Sequence, residues 1–154
     1  MTTETTVTFP QLNQPAPDFN AKTTHGQKSL ADYKGKWLVL FSHPADFTPV
    51  CTTEFIGFAN ASDTSAVRAT FIIDPEGVLR AMVYYPMSNG RSVDEFVRLV
   101  EALQTSDTNH CATPENWKKG EEVIVPPPHT MEDANMREAE GYHCVDWYFC
   151  KKTL

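Results

Sequence analysis

At 154 residues the chain has room for one domain with a real core. Its 20 acidic and 13 basic residues leave a net charge of −7, which argues against a general nucleic-acid binder, and its longest wholly apolar run, Trp37 to Phe41, is far too short to span a bilayer. The opening stretch from Met1 to Thr6 is neither basic nor apolar, so it reads as no secretory leader; the expected compartment is reducing cytoplasm, where Cys51, Cys111, Cys144 and Cys150 are catalytic, redox or incidental rather than structural disulfides.

In chain order, residues 1–10 are Thr-rich and loose. Gln14 to Phe19 carries Pro15 and Pro17, each of which biases its predecessor away from helix, so this segment is extended. Thr24-His25-Gly26-Gln27 reads as a hairpin turn, and Ser29 to Tyr33 as a short helical turn closed by Gly35. Trp37 to Ser42 is apolar enough for a buried central strand. Val67 to Ile73 and Val78 to Tyr85 flank the turn Asp74-Pro75-Glu76-Gly77 and read as an antiparallel hairpin. Ser92 with Glu95 forms a capping box that opens a helix, whose core stripe is Val93, Phe96, Val97, Val100 and Leu103. After Gln104 the texture changes. Residues 113–128 are extended and Pro-punctuated, a composition not expected to pack as a domain. Thr130 and Asp133 cap a short helix through Glu140, stopped by Gly141, and an aromatic-rich arm, Tyr142 to Cys150, follows.

The stretch from Pro44 to Glu54 organises the chain. Thr48 suits a helix N-cap and Pro49 the first helical position, which puts Cys51 in the first turn. Backbone N–H groups there lack intrahelical partners and the helix dipole is positive, so thiolate is favoured over thiol. A hydroxyl three residues earlier, on Thr48, is within reach of that sulfur.

Pro44-x-x-x-Thr48-x-x-Cys51 resembles the active-site signature of the peroxiredoxins, and the text from Ser42 to Glu54 is similar to the one-Cys mammalian and archaeal branch. The resemblance implies an α/β, thioredoxin-like fold and a peroxidase acting without metal or organic cofactor. Cys51 attacks a hydroperoxide and becomes a sulfenic acid, with Thr48 bonding thiolate or peroxide and Pro44 shielding the sulfur. The text Ala66 to Asp74 resembles the strand with the family's active-site arginine. Carried over, Arg68 lowers the Cys51 pKa and holds the peroxide oxygens. Tyr84 to Arg91 matches another family segment and makes Arg91 a supporting residue. His43 and Glu54 are further candidates, balanced against an ordinary strand-end histidine and a solvated helix glutamate. Cys144 and Cys150 resemble the C-terminal pair of the archaeal branch. By that likeness Cys150 resolves the Cys51 sulfenic acid across a dimer and Cys144 exchanges with it. A thioredoxin-like or small-thiol donor then recycles a homodimeric or larger cytoplasmic enzyme. Fully extended, Cys144 and Cys150 stand about 20 Å apart, so a bond between them needs the arm to fold back. Metal binding by His110, Cys111, His143, Cys144 and Cys150 competes, without the usual ligand spacing.

The chain departs from the family at one place. A long insert between the Cys helix and the arginine strand is missing, and Phe58 to Ala61 runs almost directly into Ser62 to Ala66. The sequence thus predicts a thioredoxin-like sheet shortened at one edge over residues 1–105, with an extended, dimerising arm over 106–154. The lost strands leave the outer edge of Trp37–Ser42 bare, a template for pairing. A strand, one helix and a short loop also favour a parallel crossover to the next strand. That would carry Arg68 away from Cys51. Staying antiparallel requires residues 61–66, about 20 Å when extended, to return along a helix about 15 Å long. The competing functional reading is a self-associating redox or interaction module that keeps the motif without competent geometry.

Overall fold

The computed structural model describes residues 9–42, 68–86, 88–137 and 139–154. The helix predicted around Cys51 and the connection over residues 61–66 lie outside them. The chain divides into two compact units, 1–91 and 92–154.

In the first unit a short hairpin pairs β1 (Asn20–Thr23) with β2 (Gly26–Ser29). A 3-10 turn, Leu30–Tyr33, follows. Asp32 accepts from the Ser29 backbone N–H at 2.7 Å and its hydroxyl at 3.1 Å, which fixes the turn's start. The main sheet has the order β3–β4–β5, from β3 (Leu38–Phe41), β4 (Arg68–Ile73) and β5 (Leu79–Tyr85), all antiparallel. Leu38 stands opposite Ile73 and Phe41 opposite Thr70. The antiparallel course, not the parallel crossover, is therefore the one adopted. Among the described residues β3 is the terminal strand of its sheet.

Alternation along β4 sorts its residues onto two faces. Ile73 joins Ala16 and Leu79 in a core that takes in Leu30, Leu38, Phe71 and Met82. Arg68, Thr70 and Ile72 face the other way and are as deeply buried. The proline-stiffened entry segment lies along β5, with Leu79 N–H donating to Gln14 at 2.9 Å and Ala16 N–H to Gly77 at 2.8 Å.

The β4–β5 turn is held by Asp74. One carboxylate oxygen accepts from the Glu76 and Val78 N–H groups at 3.1 and 2.8 Å, and the other from Arg80 at 3.2 Å. Gly77 takes φ of +85°, a conformation that disfavours side chains. Asp74→Ala leaves those partly buried donors without their acceptor and is expected to cost about 1–2 kcal/mol in denaturant unfolding.

In the second unit α1 spans Val93–Asn109. Only half of the expected capping box forms. The Ser92 hydroxyl accepts from Glu95 N–H at 3.4 Å, but the Glu95 carboxylate turns to Arg98, at 2.6 and 2.8 Å. The helix ends on His110 in the left-handed conformation. Its buried side keeps most of the predicted stripe, with Phe96 buried and Val93, Val100 and Leu103 half-buried, and departs from it at two positions. Ala102 is buried, whereas Val97 is 54% exposed. The reason is Trp117, which with Val123 forms a core against Ala102 and Cys111.

Residues 113–128, expected to stay unpacked, thus supply a core. Their last part is β6 (Val123–Val125), which joins β7 (His143–Asp146) and β8 (Phe149–Lys152) in an antiparallel sheet ordered β6–β8–β7. The short helix α2 (Met131–Met136) is capped by the Thr130 hydroxyl, which accepts from Asp133 N–H at 3.1 Å. It ends before Glu140. No helix among the described residues is long and apolar enough to cross a membrane.

Candidate active site

The site is built where β3 ends and β4 begins. Ser42 N–H donates to the Ala69 carbonyl at 3.0 Å, and Ala69 N–H donates back to the Ser42 hydroxyl at 3.4 Å. These bonds extend the ladder one step past Phe41. Arg68, the first residue of β4, therefore sits at the end of β3 from which the chain leaves for Pro44, Thr48 and Cys51. Those three residues, with His43 and Glu54, lie outside the described residues.

Arg68 is 1% exposed and Thr70 fully buried. Arg91 comes to the same strand end. Its guanidinium donates to the Ala69 carbonyl at 2.9 Å and the Thr70 hydroxyl at 3.3 Å, and lies 5.0 Å from the centre of the Phe41 ring. A guanidinium cannot shed its proton in a protein. Two buried arginines at one strand end therefore make a fixed centre of positive charge. In a low-dielectric setting such a centre favours a thiolate over a thiol, and it favours negative charge developing on oxygen. Tyr85 stands opposite Arg68 on β5.

Sequence reasoning singled out both arginines but not Thr70 or Phe41, the side chains that hold Arg91 in place. The signal for Thr70 was its spacing of two from Arg68, which puts both on one strand face. For Phe41 it was only the last position of an apolar run.

The remaining cysteines fall elsewhere. Cys144 and Cys150 stand opposite each other on β7 and β8 and are joined in a disulfide. The arm makes the fold-back that such a bond requires. His143 Nδ1 is hydrogen-bonded to the Glu122 carboxylate, so of the residues weighed as metal ligands His143, Cys144 and Cys150 are engaged with other partners. Burial pushes the Cys111 thiol up, against a smaller pull from Lys152, which makes it a poor nucleophile at neutral pH.

Comparison with known proteins identifies the family. The AhpC/TSA family pattern matches residues 12–66, and that of the C-terminal domain of 1-Cys peroxiredoxin matches residues 102–141. A peroxiredoxin of Aquifex aeolicus is 40% identical over 219 residues, covering 96% of this chain and 99% of the relative. Peroxiredoxin 2 of Caldanaerobacter subterraneus subsp. tengcongensis is 38% identical, covering 96% and 95%. An alignment of 219 residues against a chain of 154 means that the relative carries sequence with no counterpart here. Among solved structures, a yeast mitochondrial 1-Cys peroxiredoxin, described for thiol resolution via glutathione and thioredoxin systems, superposes with a TM-score of 0.78 at 26% identity, covering 95% of this chain and all of that one. With a thioredoxin-like α/β fold and these matches at nearly full length, the chain belongs to the peroxiredoxins and is a thiol-specific peroxidase.

Proposed function

We propose that the chain reduces hydrogen peroxide and small organic hydroperoxides through Cys51. The antiparallel β3–β4 register is the observation that supports this most. It starts β4 at the strand end from which the Cys51 segment departs. The parallel course on which an incompetent module would rest is not the one taken.

In this mechanism the Cys51 thiolate attacks the outer peroxide oxygen. An S–O bond forms, the O–O bond breaks, and the electron pair leaves on the second oxygen, which takes up a proton. Arg68 stabilises both the thiolate and that departing oxygen. Thr48 donates a hydrogen bond, and Pro44 keeps water from the sulfur. Arg91 acts through Arg68, as a fixed neighbouring charge on the same strand end; His43 and Glu54 are assigned supporting places. The Cys51 sulfenic acid then condenses with the Cys150 thiol, releasing water, and Cys144 displaces Cys51 to form the Cys144–Cys150 disulfide. A thioredoxin-like protein or small thiol returns the pair to thiols. The Cys144–Cys150 bond matches the end state of this sequence. Residues 1–105 carry the peroxide chemistry and 106–154 the thiol exchange, in a cytoplasmic homodimer or larger assembly.

Cys51→Ser is expected to abolish single-turnover peroxide consumption in stopped flow. Retained activity sinks the assignment.

A further inference from the structure

The Cys144–Cys150 disulfide is not equally open at its two ends. Cys150 lies on β8, the central strand, with Val125 opposite on one side and Cys144 on the other, and is fully buried. Cys144 lies on β7, the edge strand, and is only half-buried. An open recess of about 290 Å³ reaches Cys144 but not Cys150, lined also by Ala134, Asn135, Val145, Asp146 and Trp147.

The lining is mixed, with Asn135 and Asp146 among it, but exposed apolar side chains stand beside it. The pairing register shifts between Cys144 and Asp146, and the bulge turns Val145 outward, 80% exposed. Trp147 and Tyr148 follow at the hairpin turn, 58% and 53% exposed, edge to face at 5.6 Å. Scattered apolar residues on a surface need no explanation, but three within four positions beside one recess mark a contact surface.

We infer that this recess is the docking site of a dithiol reductant protein, and that Cys144 is the sulfur it attacks. The occupant follows from the chemistry of the recess. Its one reactive group is a disulfide sulfur, and the group that reacts with it is a thiolate. In the disulfide form the recess reaches Cys144 on the edge strand, whereas Cys150 is buried on the central one.

The partner's thiolate forms a bond to Cys144 Sγ and the Cys144–Cys150 bond breaks. The electron pair goes to Cys150 Sγ, which takes up a proton and has the Asp146 carbonyl 3.6 Å away as an acceptor. The partner's second thiol, as thiolate, then displaces Cys144, which is protonated in turn. The chain ends with two thiols and the partner with a disulfide. This inference rests on the recycling step proposed above, but not on Cys51.

The test uses the full chain carrying Cys51→Ser, with the hairpin disulfide formed by oxidised dithiothreitol rather than peroxide. A thioredoxin-type protein whose second cysteine is replaced by serine traps the mixed disulfide. Cleavage ahead of Asp146 separates Cys144 from Cys150, and mass spectrometry locates the adduct. The expected adduct is on Cys144. Trp147→Ala is expected to slow reduction by the intact thioredoxin-type protein about tenfold relative to reduction by dithiothreitol. An adduct on Cys150, no adduct at all, equal slowing with both reductants, or dissolution of a homodimer with the rate ratio unchanged overturns the inference. Failure of the peroxidase reading appears separately, as peroxide consumption that survives Cys51→Ser.

Discussion

Arg68→Met is expected to lower kcat/KM for hydrogen peroxide by about 10²- to 10³-fold, the usual loss when one fixed donor to a developing oxyanion is removed. The proposed role has two parts, and the variant separates them. As a permanent cation Arg68 stabilises the Cys51 thiolate, so its removal raises the Cys51 pKa and lowers the thiolate fraction at neutral pH. The pH–rate profile therefore shifts to higher pH, and that part of the loss returns in alkali. The part due to the departing oxygen does not return. Arg68→Lys keeps the charge but loses the planar fork, and is expected to fall between the two. Arg91 bonds the backbone of Ala69 next to Arg68 and the Thr70 hydroxyl beyond it, so Arg91→Met gives a smaller loss with a shift in the same direction.

Trp117→Ala is expected to destabilise residues 92–154 by about 3–5 kcal/mol. The indole is 1% exposed and fills the space between Ala102 and Val123, and its N–H donates to the Glu121 carbonyl at 3.1 Å. Alanine leaves both a cavity and an unanswered carbonyl. Among the described residues Trp117 is the largest fully buried side chain, so little in the second unit can replace it. Hydrogen exchange should report the loss across α1 and β6. The half-exposed Trp147 provides the comparison, since its replacement by alanine is expected to change stability by no more than about 0.5 kcal/mol.

The first unit was largely legible because its signals are local. Proline spacing kept residues 14–17 extended, and the Asp-Pro-Glu-Gly turn fixed the β4–β5 hairpin. The direction of β4 was not local. A short connection favours a parallel crossover, yet apolar residues on both strands find their partners only in the antiparallel register, where Leu38 meets Ile73 and Leu40 meets Phe71. Tertiary pairing overrode connection length. The second unit was misjudged for a related reason. Prolines around residues 114–128 hide the fact that Trp117 and Val123 face one helix surface, and Ala102, too small to mark a stripe, is what they pack on. In the site, both arginines were readable only through resemblance, because a lone arginine in a strand carries no signal of its own. Thr70 and Phe41 emerged from the register.

The account depends on Cys51 being held as a thiolate by Arg68. The pH dependence of Cys51 alkylation, followed by mass spectrometry on the reduced full chain, measures this directly. The prediction is a midpoint below about 7.5, moving toward about 8.5, the value of a free cysteine, in Arg68→Met. A midpoint already near about 8.5 in the unaltered chain, and unmoved by that substitution, contradicts it.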